Sequence, residues 1–65
     1  MWTYHVKQFK NICGVMEKVV IADFESIPLP LVAGTIVKIN GNFHIVESIL
    51  LINVDERVIS ILVED

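Results

Sequence analysis

The sequence predicts an all-β domain, a small five-stranded barrel built from antiparallel hairpins. Three observations carry that expectation. β-Branched and aromatic residues fill runs separated by short polar breaks, an Asn-Gly pair sits between two apolar runs, and apolar residues occupy 54% of only 65 positions. Val, Ile, Thr, Tyr and Phe suit a pleated, half-buried surface. Asn-Gly accepts the positive φ angles of a tight hairpin. A chain this short builds one core, so residues 1–65 read as a single domain.

The elements follow in order. Residues 2–9 alternate, with Trp2, Tyr4 and Val6 on one side and Thr3, His5 and Lys7 on the other. That is the period of a half-buried strand. "KNICG" at residues 10–14 reads as a turn punctuated by Asn11 and Gly14. In residues 15–24, Met16, Val20, Ala22 and Phe24 are expected on one face, and Val15, Val19 and Ile21 on the other. Met16, Glu17, Lys18 and Ala22 would also suit a helix; the β-branched cluster Val19-Val20-Ile21 favours a strand.

"ESIPLPLVAG" is a connection in which Pro28 and Pro30 withhold two backbone donors and hold their neighbours extended. So apolar a loop is expected to lie across an open end of the barrel. Its PxP spacing is not the PxxP of a polyproline ligand. Residues 35–39 and 43–52 form the clearest strands, joined by "NGN". A two-residue loop would pair Ile39 with Asn42, whereas a three-residue loop ending at Gly41 sets Val37 opposite Phe43. The pairing of two buried candidates favours the second. "NVDE" then turns the chain into a last strand over residues 57–63.

Strict alternation would leave the last hairpin apolar on both sides. Phe43, Ile45, Ile49 and Leu51 share one face of its first strand, and Val46, Leu50 and Ile52 the other. In its second strand, Ile59, Ile61 and Val63 oppose Val58 and Leu62. One side can line a core, and the other is too apolar to leave in water as a contiguous patch. It is either an interface or a face covered by the first strand or the proline loop. The interface expectation places Leu50, Ile52, Val58 and Leu62 on the apolar face, with Asp55 and Glu56 at its rim.

Eight acidic side chains against five basic ones give a net charge of −3, which lacks the basic field that nucleic-acid backbones reward. No run approaches the roughly 20 apolar residues of a spanning helix, and "MWTYHVKQFK" has no signal-peptide pattern. Cys13 is alone, so neither a disulfide framework nor a cysteine metal site is available. These features favour a cytoplasmic setting without a membrane anchor. His5 and His44 are too few for a metal site without carboxylate help, and Glu47 lies three residues from His44, on the opposite face of a strand. Ser26, Ser48 and Ser60 lack a nucleophile-elbow pattern, and the three glycines are too dispersed for a phosphate loop. The expectation is a protein that is not an enzyme and carries no cofactor.

From Gly34 to Ser48, "GTIVKINGNFHIVES" presents a glycine, a strand, an Asn-Gly turn, an aromatic, a second strand and Val-Glu. This succession resembles the hairpin that opens many SH3-like barrels, and is similar to the KOW-type domain of elongation factor P. The resemblance implies an SH3-like fold; an OB-like barrel has the same strand count. It implies no translation function, because the basic loop such domains present to RNA has no counterpart here. The compact barrel also looks like small phage or mobile-element proteins that inhibit a host protein by binding it. The expected function is therefore a protein–protein interaction module that self-associates and binds a further protein partner. The alternative is a nucleic-acid-binding barrel using Trp2, Tyr4, Lys7 and Lys10, with base stacking on aromatic side chains.

Overall fold

The computed structural model describes residues 1–64. Among them five strands form one mixed sheet that curls into a half-barrel. They are β1 (Trp2–Ile12), β2 (Val15–Ser26), β3 (Ile36–Ile39), β4 (Asn42–Asn53) and β5 (Val58–Val63). The all-β expectation holds, including residues 15–24, where β-branched preference prevails over the neighbouring helix formers.

The strand order is β2-β1-β5-β4-β3. Successive hairpins are antiparallel, but β1 meets β5 in parallel, Tyr4 beside Ile59 and Val6 beside Ile61. A parallel pair needs a long crossover, and here everything between β1 and β5 serves as one. The junction makes β5 the central strand. Its Ile61 and Val63 are buried with Val6, Ile39 and Val46 to form the core.

Tyr4 is fully buried. Its ring stacks on Phe24 with centroids 4.8 Å apart, and its hydroxyl oxygen accepts a 2.9 Å hydrogen bond from the Leu29 N–H. That bond ties the proline loop to β1, and Leu31 packs against the core. Of the loop's apolar side chains only Leu31 packs on the core, while Ile27, Leu29 and Val32 stay exposed, so the loop is not a closed plug over an open end. It enters β3 through two 2.8 Å hydrogen bonds with Val46, from Gly34 N–H and to Thr35 C=O.

The turn between β3 and β4 has two residues, not the expected three. Ile39 pairs with Asn42 and Val37 with His44. Asn40 at φ 52° and Gly41 at φ 84° satisfy the left-handed pair of a type I′ turn, whose twist matches that of the flanking strands. Cys13 and Gly14 repeat the device at φ 52° and 83°, so the first turn is shorter than residues 10–14.

Three bulges overturn the alternation read from the sequence. In β2, Ala22 pairs with Val6 but Val20 with Lys7, leaving Ile21 as the extra residue. Ala22 and Phe24 therefore face inward, while Val20 and Met16 belong to the outer side. In β4, Glu47 and Leu50 are extra, and Val46, Ile49 and Ile52 pair with Val63, Ile61 and Ile59. Each bulge sets two residues against one. From Val46 onward every third residue of β4 (Val46, Ile49 and Ile52) thus lies on the core side instead of every second, with Val46 buried and Ile49 and Ile52 still exposed.

Candidate interaction surface

The bulges dissolve the apolar face expected on the last hairpin. Ile52 pairs with Ile59 on the core side of the sheet, although it lies near the sheet end and stays exposed. Leu50 is the extra residue between Ile49, which pairs with Ile61, and Leu51, which pairs with Ser60, and it is half-buried. Leu62 is only 5% exposed, because the central strand sets Lys7 of β1 on one flank and Ser48 of β4 on the other. Val58 is half-buried. Asp55 and Glu56 are exposed in the β4–β5 turn, where the Glu56 N–H donates to Asn53 Oδ1 at 3.1 Å. These six side chains do not make one surface.

The alternative set separates as well. Tyr4 lies inside the half-barrel, Trp2 is half-buried, and Lys7 is on the outer face. No common platform for bases joins them.

A different patch is assembled by the β3–β4 hairpin. Ile36 stands opposite Ile45, and Lys38 opposite Phe43. Val37, Ile39 and Val46 turn to the core, so the period of two sends their neighbours outward. Phe43 is 70% exposed, Ile36 65% and Ile45 41%. Lys38 Nζ lies 5.3 Å from the centre of the Phe43 ring, so its stem and charge border the patch. Phe43 and Ile45 were expected beneath the hairpin. The missed signal was the Asn-Gly turn itself: a two-residue loop puts His44, not Phe43, beside Val37.

The outer face also aligns Asp23, His5 and Ser60 across β2, β1 and β5. His5 Nδ1 and Asp23 Oδ1 lie 2.5 Å apart, and a serine next to an oriented histidine is the arrangement of an activated nucleophile. Here, however, Ser60 is 5% exposed. Neither of two surface grooves reaches it: one of about 410 Å³ along the seam between β2 and β3 includes Phe24, Leu29 and Val37, and another is lined by Phe9, Glu47, Val63 and Glu64. The row reads as a cross-strand His–Asp hydrogen bond beside a packed serine. Cys13 is a free, exposed thiol at the β1–β2 turn. Among the described residues no group of three His, Cys, Asp or Glu side chains is placed to hold a metal ion, and no helix is long and apolar enough to cross a membrane.

Comparison with protein-family models, curated proteins and solved structures finds no match to this chain.

Proposed function

We propose that this domain is a protein-interaction module that self-associates through the outer face of the β3–β4 hairpin and presents the assembled surface to a partner protein. The observation that carries this reading is the trio Ile36, Phe43 and Ile45, exposed side by side on one short hairpin. Single exposed apolar residues are ordinary, whereas large ones exposed contiguously are what an interaction surface is built from. Burying each such side chain is worth about 1.5–3 kcal/mol, enough for a few to hold a modest assembly. A cytoplasmic setting accords with the exposed thiol of Cys13, since a reducing compartment keeps such a group unpaired. Nucleic acid is the weaker reading, because the net charge of −3 opposes simultaneous contact with several phosphates.

Sedimentation velocity over about a hundredfold range of concentration tests the proposal, since mass action makes association concentration-dependent. The wild type is expected to sediment faster than a monomer at the upper end. The double variant F43S/I45S should remain monomeric with an unchanged β-type circular dichroism spectrum. A wild type that stays monomeric throughout would remove the proposal. A double variant that associates like the wild type would move the interface off this hairpin.

A further inference from the structure

The strand order leaves β2 and β3 at the two margins of the sheet, each paired on one side only among the described residues. A strand sends the backbone groups of alternate residues to opposite edges, so one hydrogen bond fixes the direction of the rest. The Thr3 N–H donates to the Arg57 carbonyl, just before β5, at 2.9 Å. Thr3 and His5 therefore turn their backbone groups toward β5, and Tyr4 and Val6 toward β2. Tyr4 pairs with Phe24 and Val6 with Ala22, which leaves the backbone N–H and C=O of Asp23 and Glu25 directed away from the sheet. On the other margin the Val46 N–H donates to the Thr35 carbonyl at 2.8 Å. Val37 and Ile39 then bond to β4, and the backbone groups of Ile36 and Lys38 point outward. Among the described residues, no loop or side-chain hydrogen bond engages the backbone of these four.

The groove of about 410 Å³ lies between these two margins, within the range of about 300–1,000 Å³ usual for binding sites. Phe24, Val37 and Ile39, which belong to the core or pack against it, give the groove an apolar floor. Asp23 and Lys38 line it as well, yet their side chains are held on the outer face, by His5 and over the Phe43 ring. What these two residues offer the groove is backbone. The adjoining loop contributes Leu29, and its Pro28 and Pro30 have no N–H with which to close the gap.

We infer that the seam between β2 and β3 takes up an extended peptide segment of a partner protein as an added strand, which deepens the partner-binding part of the function proposed above. An extended segment carries donors and acceptors along both of its edges, so it complements β2 on one side and β3 on the other. Its alternate side chains fall on the floor of Phe24, Val37 and Ile39, and the others face outward. A second folded copy fits less well. Each of its margin strands has only one free edge, and pairing β2 to β2 over residues 23–25 would set Asp23 opposite Glu25, acid against acid. The rest of the β2 edge is guarded by Glu17, Lys18 and the bulge at Ile21, devices that keep an edge from pairing. Residues 22–26 run on without a bulge.

The probe is an acetylated and amidated peptide of about six alternating valine and threonine residues, a usual strand length, with a lysine at each end for solubility. A control of the same sequence and charge carries N-methyl groups on alternate amides, which removes the donors along one edge. Titrated into the wild type and followed by amide NMR, the probe should slow hydrogen exchange at Asp23, Glu25, Ile36 and Lys38 more than at Phe24 and Val37, which already bond within the sheet. The control should bind at least about tenfold more weakly, the worth of two or more hydrogen bonds. Lys38→Pro takes one outward N–H from an edge strand and leaves the ladder to β4 intact, so it should weaken the probe several-fold with an unchanged circular dichroism spectrum. The control peptide needs no variant and decides the matter if Lys38→Pro does not fold. Absence of binding at about 1 mM probe, a very weak affinity even for a peptide, overturns the inference. So do equal affinity of the methylated control, unchanged affinity of a folded Lys38→Pro, and protection confined to Phe43 and Ile45. Each of these failures leaves self-association, read by sedimentation, standing, and a monomeric wild type that binds the probe leaves the seam standing.

Discussion

Residues 2–8 and residues 9–12 belong to the same strand, β1, but only the first stretch is sheltered. Tyr4 and Val6 lie between β2 and β5 and are fully buried. Beyond Gln8 the strand pairs only with β2 among the described residues, and Lys10, Asn11 and Ile12 are exposed. The residue types hardly differ: Ile12 and Val15 are as apolar and β-branched as Val6. What differs is the neighbour. Strand formation in this chain is a local matter, settled by β-branching and a two-residue turn, whereas burial depends on where β5 arrives and stops.

Six substitutions, arranged as four comparisons, would break or sharpen that contrast. The largest effect is expected in the sheltered stretch, for Tyr4→Ala. Removing a buried aromatic ring costs about 3–5 kcal/mol, in a domain whose total stability at about 0.05–0.15 kcal/mol per residue is itself only a few kcal/mol. Urea titration followed by circular dichroism should find this variant mostly unfolded even without denaturant; a folded variant with a wild-type midpoint would mean that the stack on Phe24 contributes little.

Leu62 and Leu51 carry the contrast to β5 and β4. Leu62→Ala should cost about 2–5 kcal/mol as a truncated buried side chain, and Leu51→Ala no more than about 0.5 kcal/mol as a surface change. The same titration ranks them. The reverse order would return Leu62 to the surface and restore it to the interface expected from alternation.

The two type I′ turns offer a third comparison. Gly41 and Gly14 have nearly the same positive φ, and nothing stands within 4 Å of a Cβ built on either. Alanine in the left-handed region costs about 1–2 kcal/mol wherever it is forced to stay. At Gly41 the flanking residues Ile39 and Val46 belong to the core, so the full cost should appear in global stability. At Gly14 the ribbon can fray without opening the core, and Gly14→Ala should change the denaturation midpoint much less. Equal midpoints would show that the ribbon is coupled to the core after all.

At the same position as the largest effect, a much smaller one is expected for Tyr4→Phe. It keeps the ring stack but deletes the acceptor of the Leu29 N–H, a loss of about 1 kcal/mol for a single hydrogen bond. Amide hydrogen exchange at Leu29 should accelerate more than exchange at Val6. Uniform acceleration across both sites would indicate that the loop and the sheet open together.

Much of the architecture is legible in the residues. Val19, Val20 and Ile21 declare β2 despite its helix formers, Asn40-Gly41 declares a hairpin, and the apolar PxP loop declares that it must cover something. The surface was harder to read, because one residue of slip exchanges the two faces of a strand. Leu62 and Phe43 show the error in both directions: Leu62 looked external and is buried, and Phe43 looked internal and is exposed. Sequence reasoning assumed unbroken alternation from residue 43 to residue 52, and Glu47 and Leu50 break it twice. Neither residue type marks a bulge.

By itself the sequence determined the all-β class, the number of strands, the approximate position of each turn and the absence of a strong positive field. These properties follow from short-range causes: φ/ψ preference, β-branching, missing proline donors and total charge. Only the tertiary structure decided that β1 lies parallel to β5, which residues of β4 face the core, and that Leu62 is buried while Phe43 is exposed. Those outcomes depend on pairing between segments up to the whole chain apart. A bulge is stabilised by the strand opposite it, and a side chain acquires its neighbours only once the sheet has closed around β5.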